Sequence, residues 1–148
     1  MPLKERIESE TAAALKARNE ATVSTLRMLR AAIKYAEIEK REPLDDAGVI
    51  EVIGREVKKL RDALESFVAG ARQDLADKTR VEIAALEQYL PARFSDDELR
   101  EIIRSAIATT GAATAQDFGK VMGIVSKETK GRADGGKVSA MVKEMLGK

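Results

Sequence analysis

The sequence predicts an all-α protein, with an N-terminal four-helix subdomain followed by a smaller three-helix C-terminal subdomain. Three observations carry that prediction. Apolar residues recur at 3.6-residue spacing along most of the chain. Charged residues make up 34% and aromatics only 3% of the 148 residues, the composition of solvated helices around an aliphatic core. No run of alternating or β-branched residues reads as a strand, and no internal repeat is present.

The elements follow in order. Leu3, Ile7 and Ala14 mark a short first helix ending near Asn19. Val23, Leu26, Leu29, Ile33 and Ala36 continue the pattern to about Arg41, where Pro43 interrupts. Asp45 or Asp46 caps a third helix, whose stripe is Val49, Ile53, Val57, Leu60, Leu64 and Phe67. Gly70 breaks or kinks it, and Leu75, Ile83, Leu86 and Leu90 edge a fourth. Four amphipathic stripes with short links describe a helical bundle. Pro91 disfavours helix at Leu90 and closes it, so we divide the chain into residues 1–92 and 93–148.

Beyond the proline, Ser95-Asp96-Asp97-Glu98 has the form of a capping box, in which the serine serves the third helical amide and the glutamate reaches back. Leu99, Ile102, Ile103 and Ile107 form a fifth stripe, and Gly111 ends it. A sixth helix starts over Thr114–Asp117, and Val138, Met141, Val142 and Met145 make a seventh. Gly119 and Gly123 lie four apart in the sixth helix at a cost of about 1 kcal/mol each relative to alanine. That spacing predicts close approach by the backbone of the seventh helix. Met122, Met141 and Met145 are assigned to the core, and the five aromatics sit on or beside apolar stripes. The pairs Glu37 and Arg41, Glu51 and Arg55, and Asp74 and Lys78 have the i,i+4 order that supports exposed helices.

Composition also excludes chemistry. With no His and no Cys, the chain has no thiol nucleophile, no imidazole base, no disulfide and no zinc site of the usual kind. No calcium-loop motif occurs, and we expect no metal and no cofactor. The opening MPLKERIESE lacks a signal-peptide core, and no segment approaches the ~20 apolar residues of a membrane span. The expected compartment is cytoplasmic.

Charge is polarised. Residues 120–148 hold Lys120, Lys127, Lys130, Arg132, Lys137, Lys143 and Lys148 against Glu128, Asp134 and Glu144, a net charge of +4. The rest of the chain therefore carries −3, since the total is +1. The stretch from Gly119 to Lys137 also contains five glycines, so backbone and cations alike invite an anionic partner. Gly131 to Lys137 fits the G-x-x-x-x-G-K of a phosphate loop, but the next residue is Val138 rather than Ser or Thr, and a helical stripe precedes it instead of a strand. Gly131 is better read as a left-handed helix end, with Asp134 capping the next helix.

Several phrases then line up: Arg27-Met28, Arg55-Glu56-Val57-Lys58, Ala71-Arg72-Gln73-Asp74-Leu75, Glu87-Gln88-Tyr89-Leu90-Pro91, Gly119-Lys120-Val121-Met122 and Lys130-Gly131-Arg132-Ala133-Asp134-Gly135. In this order they resemble the YqeY-like family, small proteins similar to the tail domain of GatB, a subunit of glutamine-dependent aspartyl/glutamyl-tRNA amidotransferase. The resemblance covers essentially the whole chain, with one departure: the family pattern implies Ala-Gly-Arg where this chain reads Gly70-Ala71-Arg72. It implies an all-α fold in two helical subdomains and a role in holding tRNA, while the carbon–nitrogen ligase chemistry belongs to other parts of the complex.

The function that follows is a noncatalytic tRNA-binding accessory protein, acting with tRNA or with an amidotransferase or tRNA synthetase assembly. Lys120, Lys130 and Arg132 match the family motif, and with Lys127, Gly131 and Lys137 they are the candidate RNA-binding residues. Arg27, Arg30 and Lys34 on the second helix could extend a basic track. Two alternatives stand beside this. One is a helical protein-interaction adaptor with an exposed apolar stripe around Val138–Leu146; the other, a component of a carbon–nitrogen ligase with glutamine as donor.

Overall fold

The computed structural model describes residues 1–147, and all of their regular structure is helical. Seven α-helices run in the order α1 (Leu3–Lys16), α2 (Glu20–Lys40), α3 (Asp46–Ala69), α4 (Gln73–Glu87), α5 (Asp96–Thr110), α6 (Phe118–Thr129) and α7 (Gly135–Leu146). A single 3₁₀ turn, Ala115–Asp117, precedes α6. The chain forms two compact units, the first spanning Met1–Leu90 and the second beginning at Pro91.

In the first unit, Ile7, Leu26, Leu29, Val49, Ile53 and Leu86 are fully buried at the centre of one aliphatic cluster. Burying side chains of this kind contributes about 1.5–3 kcal/mol each. Asp45 and Asp46, at the start of α3, each cap a helix, but different ones. Asp45 accepts from the Gly48 amide at 2.8 Å and starts α3. Asp46 accepts from the Leu3 amide at 2.9 Å, serving α1, whose own N-cap is Pro2 and offers no side-chain acceptor. Asn19 belongs to α2, capping it through the Thr22 amide, and α1 ends at Lys16.

Long-range polar contacts then fix the helices. Glu37 does not pair with Arg41. It accepts from Lys4 at 2.7 Å and from the Leu44 amide at 2.8 Å, tying α2 to α1 and to the turn before α3. Those two hydrogen bonds, Lys4's first, hold its carboxyl below the usual range. Asp74 likewise turns to Arg72 at 3.2 Å rather than to Lys78. Tyr89, just past α4, is 5% exposed, and its hydroxyl donates to Glu10 on α1. Arg6 pairs with Glu10 at 2.9 Å and lies 4.9 Å from the Tyr89 ring centroid. Burial opposes the charged form of Glu10, but hydrogen bonds from Tyr89 and Arg6 outweigh it, and its pKa is lowered.

Threonines are the buried polar residues of the core, a class the apolar stripes did not mark. The hydroxyls of Thr11, Thr25, Thr79 and Thr129 each donate to the carbonyl four residues back, at 2.6–3.0 Å. A satisfied hydroxyl packs like a small apolar group, so these positions carry no uncompensated polar cost. Tyr35 departs the other way: it is 74% exposed and lies off the buried stripe of α2.

In the second unit, Ser95 and Glu98 form the reciprocal capping box at 3.2 and 3.0 Å, and Gly111 ends α5 at φ +67°. Asp117 accepts from the amides of Ala113 and Thr114, which tightens the chain into the 3₁₀ turn and defers α6 to Phe118. Leu99, Ile103, Val121, Val125, Val138 and Val142 fill the core, with Met122, Met141 and Met145 packed against it. The Val138–Leu146 stripe is therefore internal and cannot be an adaptor's exposed face: Val138, Val142 and Leu146 are all buried. Gly119 and Gly123 are also corrected. A Cβ at either would meet nothing within 4 Å, so neither admits α7.

Two predictions follow from the first unit. The helix break before α4 places its left-handed residue at Ala71, φ +56°, while the neighbouring Gly70 has φ −85°. A left-handed non-glycine residue costs roughly 1–2 kcal/mol, so Ala71→Gly raises the unfolding free energy by about 1 kcal/mol in a urea titration; an unchanged or lower value would refute the strain. The second concerns acid. A carboxyl whose folded pKa lies below its unfolded value stabilises the fold above that unfolded value, and the contribution is lost as pH falls through the folded pKa. Glu37→Gln therefore lowers the melting temperature at neutral pH and shrinks the further fall between about pH 5 and about pH 3. Parallel melting curves for the two proteins across that range would count against the assignment.

Candidate nucleic-acid interface

The six candidate residues lie on α6, on the link to α7, and on the first turn of α7. The link is a type II turn. Lys130 has φ −55° and ψ 124°, Gly131 has φ +77°, and the Arg132 amide donates to the Thr129 carbonyl at 2.9 Å. The third position of such a turn demands positive φ, which is the reason for glycine there. α6 thus stops at Thr129, and Gly131 is left-handed as part of the turn after it. Asp134 starts α7 by accepting from the Lys137 amide at 3.1 Å. The stretch resembling a phosphate loop is therefore a turn and a helix start, preceded by a helix.

Arg132 faces inward to its own unit. Its Nε donates to the Ala92 carbonyl at 2.7 Å, and its guanidinium carbon stacks 3.7 Å from the centroid of the Phe94 ring. The Phe94 amide donates in turn to the Arg132 carbonyl at 2.9 Å. The segment before α5 is thereby laced to the turn before α7. Sequence reasoning missed Ala92 and Phe94 as the partners; an aromatic residue directly before the Ser95 cap was the available signal. Lys137 is also engaged, with Asp96 of α5 at 2.5 Å, and that contact holds the Asp96 carboxyl below its usual range.

The remaining cations face outward. Lys120 is 72% exposed, 4.0 Å from Asp117, whose carboxylate already serves two backbone amides. The amides of Ala113 and Thr114 are what lower the Asp117 pKa. Lys127 is exposed with no ion-pair partner among the described residues, and Lys130 is exposed at the turn. Lys120 and Lys127 are seven residues apart and share one face of α6, with the bare Gly123 between them. Lys143 lies 5.5 Å from the Phe118 ring centroid, and Lys148 falls outside the described residues. The structure thus brings together Lys120, Lys127 and the turn carrying Lys130 and Gly131, and engages Arg132 and Lys137 in surface contacts with the segment before α5 and with its first turn.

Such an arrangement can hold an anion. Among the described residues no group of three or more carboxylates is placed to grip a metal ion. The most perturbed titratable group, the Tyr89 hydroxyl, is pushed up by burial and by its bond to Glu10, within the packing of the first unit.

These features define a small all-helical protein of two units whose second unit carries an outward cationic helix face. Over residues 4–146 the chain matches the family described as Yqey-like protein, and it belongs to that YqeY-like family. It is 27% identical over 146 residues to the "Altered inheritance of mitochondria protein 41, mitochondrial" of Pyrenophora tritici-repentis, covering 96% of this chain and 80% of that one. An uncharacterized protein of Schizosaccharomyces pombe is 33% identical over 82 residues, 55% of this chain and 67% of its own length. The Eremothecium gossypii protein of the same mitochondrial name is 30% identical over 80 residues, 53% of this chain and 44% of that one. No helix among the described residues is long and apolar enough to cross a membrane. Two of the relatives are named as mitochondrial, which lends no support to the cytoplasmic expectation.

The division of labour among the cations has a direct test. Arg132→Ala removes a charge-assisted hydrogen bond and a cation–π contact, so thermal unfolding is destabilised by about 1–3 kcal/mol. Lys127→Ala on the same protein stays within about 0.5 kcal/mol of the parent. Equal effects from the two substitutions would refute the assignment of Arg132 to the fold.

Proposed function

We propose that this protein is a noncatalytic tRNA-binding accessory protein that grips phosphates on the outer face of α6. The observation carrying the reading is the pair Lys120 and Lys127, both exposed on one helix face, with Gly123 between them presenting bare backbone. Lysines serve as point charges on phosphate, and glycine leaves no side chain to hold a strand off the helix. Gly119 and Gly123 each cost about 1 kcal/mol relative to alanine, and packing gives no return for it. A ligand brought close to the backbone supplies one.

Lys130 extends the same surface at the turn, and Gly131 sets where that turn points. Arg132 and Lys137 act through the scaffold, holding the turn and the start of α7. Family membership supports tRNA as the polyanion, met alone or as carried by an amidotransferase or tRNA synthetase assembly. The reading needs only a compartment that holds tRNA, and both the cytosol and the mitochondrial matrix qualify.

The test is a titration of purified protein with total tRNA across a salt series. Affinity falls steeply with salt, and Lys120→Ala/Lys127→Ala flattens the log–log slope by about one unit per lysine. Gly123→Ala raises thermal stability by roughly 0.5–1 kcal/mol and weakens tRNA binding, a split that a purely structural glycine would not produce. Binding indifferent to salt and to both lysines would overturn the proposal.

A further inference from the structure

Three of the exposed large apolar side chains of the first unit share the outer face of α2, while Met1, Leu15, Val68 and Val81 are exposed on other helices or ends. Met28 is 37% exposed, Tyr35 74% and Ile38 64%. Their spacing of seven and then three residues puts them in one stripe along the helix, with the exposed Ala31 inside it. Exposed large residues scattered singly need no explanation, whereas a helical stripe of them does. The stripe runs toward a shallow groove of about 320 Å³ at the α1–α2 turn, lined by Leu15, Arg18, Glu20, Val23, Ser24 and Arg27, two cations against one carboxylate.

One edge of the stripe is cationic. Arg27 and Lys34 lie two turns apart on it, exposed and without an ion-pair partner among the described residues. Arg30, by contrast, is held by Glu8 at 3.3 Å. At the far end of α2 the exposed Glu39 and Glu42 offset Lys40 and Arg41, so the basic edge does not continue there. Apolar Met28, Tyr35 and Ile38 in the middle of the face offer a polyanion nothing. A second copy packed antiparallel would set Arg27 and Lys34 against the same basic edge of its twin, which like charges disfavour. The ridge is also narrow against the roughly 800 Å² per partner that a stable dimer buries.

We propose that this face of α2 docks an amphipathic helix of another protein, one whose apolar stripe is flanked on one side by aspartate or glutamate. Tyr35 and Ile38 supply the apolar contact, Arg27 and Lys34 set the orientation by pairing with the acidic flank, and the groove beside Leu15 receives the helix end. From Ser24 to Ile38 the ridge is about 21 Å long, which fits a partner helix of roughly 14 residues. This surface belongs to the first unit and stands apart from the cationic face of α6, so either proposal can fail alone.

The experiment places a photo-crosslinking amino acid at position 35 of the full chain in cells and sequences what it captures. The expected product is a peptide from one protein that reads as an amphipathic helix with an acidic flank. That peptide, synthesised, binds the purified protein; Tyr35→Ala/Ile38→Ala weakens it by about tenfold or more. Arg27→Glu/Lys34→Glu weakens it similarly, and replacing the peptide's acidic flank with lysine restores affinity to that variant alone. All four residues are exposed, so the variants are expected to melt as the parent does. Capture of RNA, lipid, a second copy of this chain or nothing, or a peptide whose binding ignores the charge swap, overturns the proposal.

Discussion

Every helix end leaves backbone groups without an intrahelical partner, and beside the local caps Asn19, Asp45, Ser95 and Asp134 this chain spends several charged side chains on backbone outside their own helices. That constraint shapes the molecule. Asp46 serves α1, Glu37 serves the turn before α3, Asp117 serves the turn into α6, and Arg132 serves the segment before α5. Asp46, Glu37 and Arg132 each bond backbone outside their own element and so tie elements together, whereas Asp117 acts on its own turn. The same constraint also decides which charges are left for anything else. A carboxylate or guanidinium spent on backbone is not free to meet a partner, and this is why a net charge of +4 in the last 29 residues overstates the surface on offer.

Local chemistry was legible for this reason: helical periodicity, the Ser95–Glu98 box, the end of α5 at Gly111 and the Asp134 cap all depend on residues within four positions of each other. The all-α class needed nothing more. Long-range choices were not legible. Glu37 has Arg41 at ideal helical spacing, yet Arg41 sits at the C-cap with φ +59°, outside helical geometry, while Lys4 and the Leu44 amide come within reach only when the bundle assembles. Arg132 was expected to bond phosphate because arginine in a glycine-rich link suggests it. Phe94, 38 positions earlier, was the determining neighbour. The apolar stripe of α7 and that of α2 could not be ranked by sequence either, since whether a stripe is covered depends on which helices arrive against it.

The two units end their helices differently. In the first unit, Arg18, Arg41 and Ala71 follow α1, α2 and α3 with positive φ; in the second, Gly111 and Gly131 occupy the left-handed positions. Glycine adopts that conformation freely, and side chains do so at a cost. The inversion of Gly70 and Ala71 relative to the family pattern shows the cost most directly, because the glycine is present and one position away from where φ requires it.

Glycine placement bears on function by the same reasoning. At Gly111 and Gly131 the backbone explains the residue. At Gly119 and Gly123 it does not: both are in regular helix, both are exposed, and the space where a Cβ would go is empty. A helix interior loses stability at such positions, and here neither close packing nor strain offsets the loss. Proteins retain destabilising residues most readily where a partner meets the surface, and the partner we propose is one that gains from bare backbone flanked by lysines. A phosphate chain fits that description. A partner helix would need apolar side chains, which this face of α6 lacks and the outer face of α2 displays. The two surfaces differ in what they present, and so in the class of molecule each can hold.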